Sequence, residues 1–166
     1  AERRKAHHSG FIINFAAYIQ SIVMAFLYNI GIQAYHLAIQ LAAPFNEKAA
    51  LLCKGRKEVW KKAAGIQRGE GRLVWFHAAS LGEFEQGRPV IEALKAAEPA
   101  TQILLTFFSP SGYEIRKNYT GADYILYLPG DTRRNAVRLI EKFRPDAAVF
   151  IKYEFWFHYL NELNKR

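Results

Sequence analysis

Cysteine is nearly missing. Cys53 is the only one in 166 residues, so no internal disulfide can form, which fits a reducing compartment. Charge is missing altogether between Lys5 and Glu47, where no Asp, Glu, Lys or Arg occurs. Several site spacings are missing too: there is no G-x-G-x-x-G, no G-x-x-x-x-G-K-[ST], no paired Cys/His spacing and no G-x-S-x-G. These absences argue against a dinucleotide fingerprint, a P-loop, a sequence-local metal site and a hydrolase elbow. Repeats and low-complexity tracts do not occur. Disorder is excluded by composition, which is 51% hydrophobic and 23% charged.

The charge that is present sits unevenly. The net charge is +8, with residues 1–72 holding 11 Lys/Arg against 4 Asp/Glu and residues 73–166 holding 12 against 11. The basic excess thus lies beside the most apolar stretch. A nucleic-acid binder more often spreads Lys/Arg over a folded face, so no nucleic-acid partner is expected. Positive charge next to an apolar segment points first to anionic lipid at a membrane surface.

The apolar stretch divides by pattern. Phe11 to Tyr28 is apolar nearly all round and is expected to be able to span a bilayer. Beyond it, Asn29, Gln33, His36 and Gln40 form one polar stripe, the mark of a helix lying in the interface or against its own domain. A buried core helix is the alternative. The run is too long for a signal peptide. Lys48, Lys54, Arg56, Lys57, Lys61 and Lys62 follow it, which by the positive-inside rule keeps the downstream part in the cytoplasm. Met24 is the only methionine, so a native start there, or a sequence that is a piece of a longer chain, both stay open. The expected organisation is a membrane-associated segment, 1–46, followed by an α/β domain, 47–166.

Within 47–166, apolar runs of strand length, Leu73–His77, Gln102–Phe108, Asp123–Leu128 and Ala147–Ile151, alternate with helical segments. The helices are expected at Glu47–Lys62, Glu83–Ala97, Ser111–Asn118, Arg133–Phe143 and near Trp156–Lys165. Pro99, Pro110, Pro129 and Pro145 mark the junctions. Nearly continuous apolar strands alternating with helices predict a parallel sheet covered on both faces, a Rossmann-like α/β fold. Ligands of such sheets bind at the carboxyl ends of the strands, which singles out 78–83, 109–112, 129–132 and 152–156.

Four candidate groups lie in those loops. Ser80-Leu81-Gly82-Glu83 has the spacing of a capping box, yet it also places a carboxylate at a strand's carboxyl end beside a glycine. A helix N-terminus stabilises the ionised form, so Glu83 would be charged but a weak base. Ser109-Pro110-Ser111-Gly112 suits either a helix start or contacts to phosphate or sugar hydroxyls. Asp131-Thr132 reads as a cap. Glu154, among Tyr153, Phe155 and Trp156, needs a partner. His77, at a strand end, is more often satisfied by backbone than catalytic.

Together these stretches resemble the 3-deoxy-D-manno-octulosonic acid (Kdo) transferase family. The matching elements are 27–31, Trp75 to Glu83, Arg88-Pro89, Thr106 to Gly112, Tyr127-Leu128-Pro129 with Asp131, and Glu154-Phe155-Trp156, in that order. The resemblance implies a GT-B glycosyltransferase of two Rossmann-like halves, of which this chain is the N-terminal, acceptor-binding one and the donor-binding half lies outside it. It implies transfer of Kdo from CMP-Kdo to lipid A precursor in lipopolysaccharide synthesis, on the cytoplasmic face of the inner membrane, without a metal or other cofactor. Glu83 matches the family's catalytic base. Ser80, Gly82, Ser109, Ser111, Gly112 and Glu154 are the expected substrate contacts. Where many members have Glu-Thr, this chain has Lys152-Tyr153, which alters the charge of that loop. Another membrane-acceptor glycosyltransferase and a non-catalytic lipid-binding module are the alternatives.

Overall fold

A computed structural model of the chain describes the backbone of residues 2–166 and the side chains of 19, 20 and 22–166. The chain forms two compact units, 1–38 and 39–166, and the first helix, α1 (Glu2–Ala42), runs across the division between them. Within α1, Ile22–Ala42 is 21 residues long with a mean hydropathy of 1.5, and none of it is buried. By length and composition it can cross a membrane, since 21 residues at about 1.5 Å each match a ~30 Å hydrocarbon core. Phe26, Leu27, Ile30, Leu37 and Leu41 of this stretch are all exposed. Half of the spanning stretch expected at Phe11–Tyr28 lies outside the residues whose side chains are described.

The second unit is an α/β domain. Asn46 caps α2 (Glu47–Gly65) by accepting a hydrogen bond from the Ala49 amide at 3.0 Å. Then follow β1 (Leu73–Ala78), α3 (Leu81–Ala97), β2 (Gln102–Phe107), α4 (Pro110–Arg116), β3 (Tyr124–Tyr127), α5 (Arg133–Phe143), β4 (Ala147–Phe150) and α6 (Phe157–Leu163). All strand pairs are parallel and the order is β3-β2-β1-β4. Alternate side chains supply two cores. Leu73, Trp75, Leu104 and Leu126 pack with α5 and Tyr159 of α6, while Val74, Phe76, Ile103, Leu105 and Phe107 pack with Phe84 and Ile91 of α3 and Tyr113 of α4. Every residue of β1 and β2 is buried, the polar His77, Gln102 and Thr106 among them, as expected of central parallel strands covered on both faces. Each large apolar side chain so buried contributes about 1.5–3 kcal/mol.

The topology decides where a ligand can sit. The chain winds from β1 to β3 in one direction, then crosses back to place β4 on the other side of β1. The carboxyl ends of β1 and β4 therefore flank a topological switch point, the usual crevice of doubly wound sheets. Three glycines tighten the surroundings. A Cβ at Gly55 would overlap the Tyr127 ring, one at Gly87 the Ile151 side chain, and one at Gly112 the Phe107 ring. The α2, α3 and α4 helices thereby approach β3, β4 and β2 closely.

Candidate active site

The loops leaving β1 and β2 are laced together. The amides of Phe108 and Ser109 donate to the carbonyls of Ala78 and Ala79 at 3.3 and 2.8 Å. A Cβ at Gly112 would also lie 3.1 Å from the Ser80 carbonyl carbon, so packing alone calls for glycine there. Ser80, Ser109, Ser111, Gly112 and Glu83 are in this way gathered at one end of the sheet. Ser109 is the N-cap of α4, with its Oγ 3.3 Å from the Ser111 amide and 3.0 Å from the Ser111 hydroxyl. Gly82 is exposed, and a Cβ there would meet nothing nearer than Ser80 Oγ at 3.9 Å. Space beside the carboxylate is therefore open.

Ser80 and Glu83 form part of a capping box. Ser80 is the N-cap of α3, but its hydroxyl bonds no backbone amide and instead donates to the Glu83 carboxylate. That bond, with the backbone amides of Glu83 and Ser80 and the positive charge of Lys152, holds the Glu83 carboxyl below its ordinary value against the opposing effect of burial. Lys152 reaches this position from the end of β4 with a left-handed backbone, φ 62°. For a side-chain-bearing residue this costs about 1–3 kcal/mol, and such strain collects at functional sites.

Glu154 lies across the switch point. Its carboxylate accepts the Trp156 indole N–H at 2.8 Å and stands 3.5 Å from His77 Nε2. Trp156 Nε1 is also 3.1 Å from His77 Nε2 and its ring stacks on Phe108. On its other side His77 Nδ1 faces the Thr106 carbonyl and hydroxyl at 3.1 and 2.9 Å. Backbone alone thus does not satisfy His77, as a strand-end histidine would suggest. Among the described residues no three of His, Cys, Asp and Glu converge as metal ligands would.

Residues 53–166 match the family described as 3-deoxy-D-manno-octulosonic-acid transferase (kdotransferase). The chain belongs to this family. It is 31% identical over 109 residues to a 3-deoxy-D-manno-octulosonic acid transferase of Chlamydia trachomatis, covering 62% of this chain and 25% of that protein. Against the enzyme of the same name from Aquifex aeolicus the identity is 36% over 84 residues, 50% of this chain and 23% of the relative. A probable mitochondrial 3-deoxy-D-manno-octulosonic acid transferase of Arabidopsis thaliana is 32% identical over 90 residues, 54% and 20%. The chain thus spans a quarter or less of these Kdo transferases. The matched region holds all seven site residues expected from sequence. His77 and Lys152 were not among them. Their signal in the sequence is faint: a histidine near the end of an apolar strand, two residues after Trp75, and a lysine two residues before Glu154.

Proposed function

We propose that the chain is the acceptor-binding half of a Kdo transferase acting on lipid A precursor with CMP-Kdo as donor, and that Glu83 is its general base. The observation that carries this reading is the position of Glu83, a half-buried carboxylate on the first turn of α3 at the switch point, with open space at Gly82 beside it. Membership of the Kdo transferase family supplies the chemistry.

In the proposed reaction an acceptor hydroxyl donates its hydrogen bond to Glu83 in place of Ser80. Its proton passes to the carboxylate as the oxygen bonds the anomeric carbon of Kdo, and the bond to CMP breaks with the electron pair leaving on the phosphate. A carboxyl held below its ordinary value is ionised at neutral pH and ready to accept, though weakly basic. Proton transfer then runs late, alongside C–O bond formation, when the hydroxyl has become acidic. In this reading Ser80, Gly82, Ser109, Ser111, Gly112 and Glu154 meet the acceptor. No metal or other cofactor takes part in this reading.

The apolar helix Ile22–Ala42 supports association with a membrane, and the exposed Lys48, Lys54, Lys57, Lys61 and Lys62 that follow it support the cytoplasmic face of the inner membrane. One observation favours the rival, non-catalytic reading: the Ser80 hydroxyl already occupies the Glu83 carboxylate. The full-length enzyme, supplied with CMP-Kdo and lipid A precursor in detergent, tests the proposal. Stoichiometric formation of Kdo-lipid A and CMP is expected, and binding of the lipid without transfer would contradict it.

A further inference from the structure

We propose that His77 is a positioning residue for Glu154, acting through a single hydrogen of the Trp156 indole. This rests on the functional reading above, in which Glu154 meets the acceptor.

The tautomer of His77 follows from its neighbours. An indole nitrogen can only donate, so Trp156 Nε1, 3.1 Å from His77 Nε2, requires a bare lone pair on that nitrogen. The Thr106 carbonyl, 3.1 Å from Nδ1, can only accept, so Nδ1 carries the hydrogen. The Thr106 hydroxyl, 2.9 Å from Nδ1, fits the same assignment, because it accepts from Trp75 Nε1 at 2.8 Å and points its own hydrogen toward the Phe76 carbonyl. His77 is thus neutral and bonded on both sides.

Its ring is fully buried and fixed by register, with His77 paired to Thr106 on β2 and to Phe150 on β4. Phe150 and Trp156 pack edge-on against it. The rigid ring pins the indole, and the indole shares its one hydrogen between His77 and Glu154. Glu154 follows β4 in a loop whose Lys152 is left-handed and whose Tyr153 and Phe155 are largely exposed. The core supplies little restraint on that loop, so the tryptophan bond sets where the carboxylate stands. Glu154 itself stands 3.5 Å from His77 Nε2, so imidazole, indole and carboxylate form one cluster around that single hydrogen.

Two measurements test the inference. Nitrogen NMR on the unmodified chain, labelled at histidine, is expected to show His77 as the neutral form protonated at Nδ1 with coupling to the Trp156 indole hydrogen. A proton on Nε2 overturns the proposal. In the full-length enzyme, His77→Leu is expected to lower kcat by about 10- to 100-fold, as for a reacting group displaced by about 1 Å. His77→Gln, which restores an acceptor, recovers most of that loss. Combined with Glu154→Gln, His77→Leu adds no further loss, because both act through one carboxylate. Independent, multiplying losses, or full activity of Glu154→Gln, refute the role of His77. Absence of transfer by the unmodified enzyme would refute the functional reading instead.

Discussion

Ser80 stands where an N-cap residue stands, yet it spends its hydrogen on a side chain. The capping box legible in Ser-x-x-Glu is therefore half realised, since Glu83 reaches back to the Ser80 amide while Ser80 leaves the N3 amide alone. A three-residue spacing cannot show which way a hydroxyl turns, and that is why the sequence left the matter open. Ser80→Ala follows as a test. Losing the strongest influence holding the Glu83 carboxyl down lets it rise toward its ordinary value of 4.5. The acid limb of kcat/KM in the full-length enzyme should move to higher pH, with a stability loss of about 1 kcal/mol or less because no capping bond is broken. The sign for folding agrees. A carboxyl depressed in the folded state stabilises the protein above its unfolded value and loses that contribution as pH falls through the folded one, so Ser80→Ala should flatten the acid side of the stability curve. An unmoved acid limb would remove Ser80 from the description of the base.

The α6 helix shows what element patterns conceal. Its range was legible from the helical run after Trp156, and the strand boundaries were legible to within about two residues from apolar runs and flanking prolines. The tie that holds α6 was not. Of the pair Asp131-Thr132, read from sequence as a cap, Thr132 is the N-cap of α5, while Asp131 turns its carboxylate to the amides of His158 and Tyr159 at 3.1 and 3.2 Å. It is buried, and its partners lie 27 and 28 residues away, beyond any local signal. Asp131→Ala leaves those amides unsatisfied and should cost about 1–3 kcal/mol, read from the midpoint of denaturant unfolding. An unchanged midpoint would mean water replaces the carboxylate. The His77–Trp156 contact was hidden for the same reason, its partners being 79 residues apart. Likewise Gly112, expected to meet substrate, is required by the close approach of α4 to the Ser80 backbone, a demand set by packing that no motif announces.

For the whole molecule, alternation of strands and helices made the α/β class legible, and the family match extends over 53–166. Strand order was not legible, because only the return of the chain to place β4 beside β1 creates the switch point that brings Glu83, Lys152 and Glu154 to one end of the sheet. The uncharged stretch was legible by composition, and among the described residues Ile22–Ala42, which is long and apolar enough to span, includes the polar stripe Asn29, Gln33, His36 and Gln40. Flotation with liposomes should separate two contributions. Binding to anionic vesicles is expected to exceed binding to neutral ones at low salt and to converge with it at high salt, while deletion of residues 1–42 should abolish the salt-resistant part. Salt-resistant binding that survives the deletion would assign it to the α/β domain. The central claim is that Glu83 takes the proton of the acceptor hydroxyl, and the kcat of Glu83→Gln in the full-length enzyme measures it most directly. With folding and lipid binding preserved, transfer should fall by about 100-fold or more. A kcat within a few-fold of the unmodified enzyme would contradict the account and leave Glu83 as a helix cap.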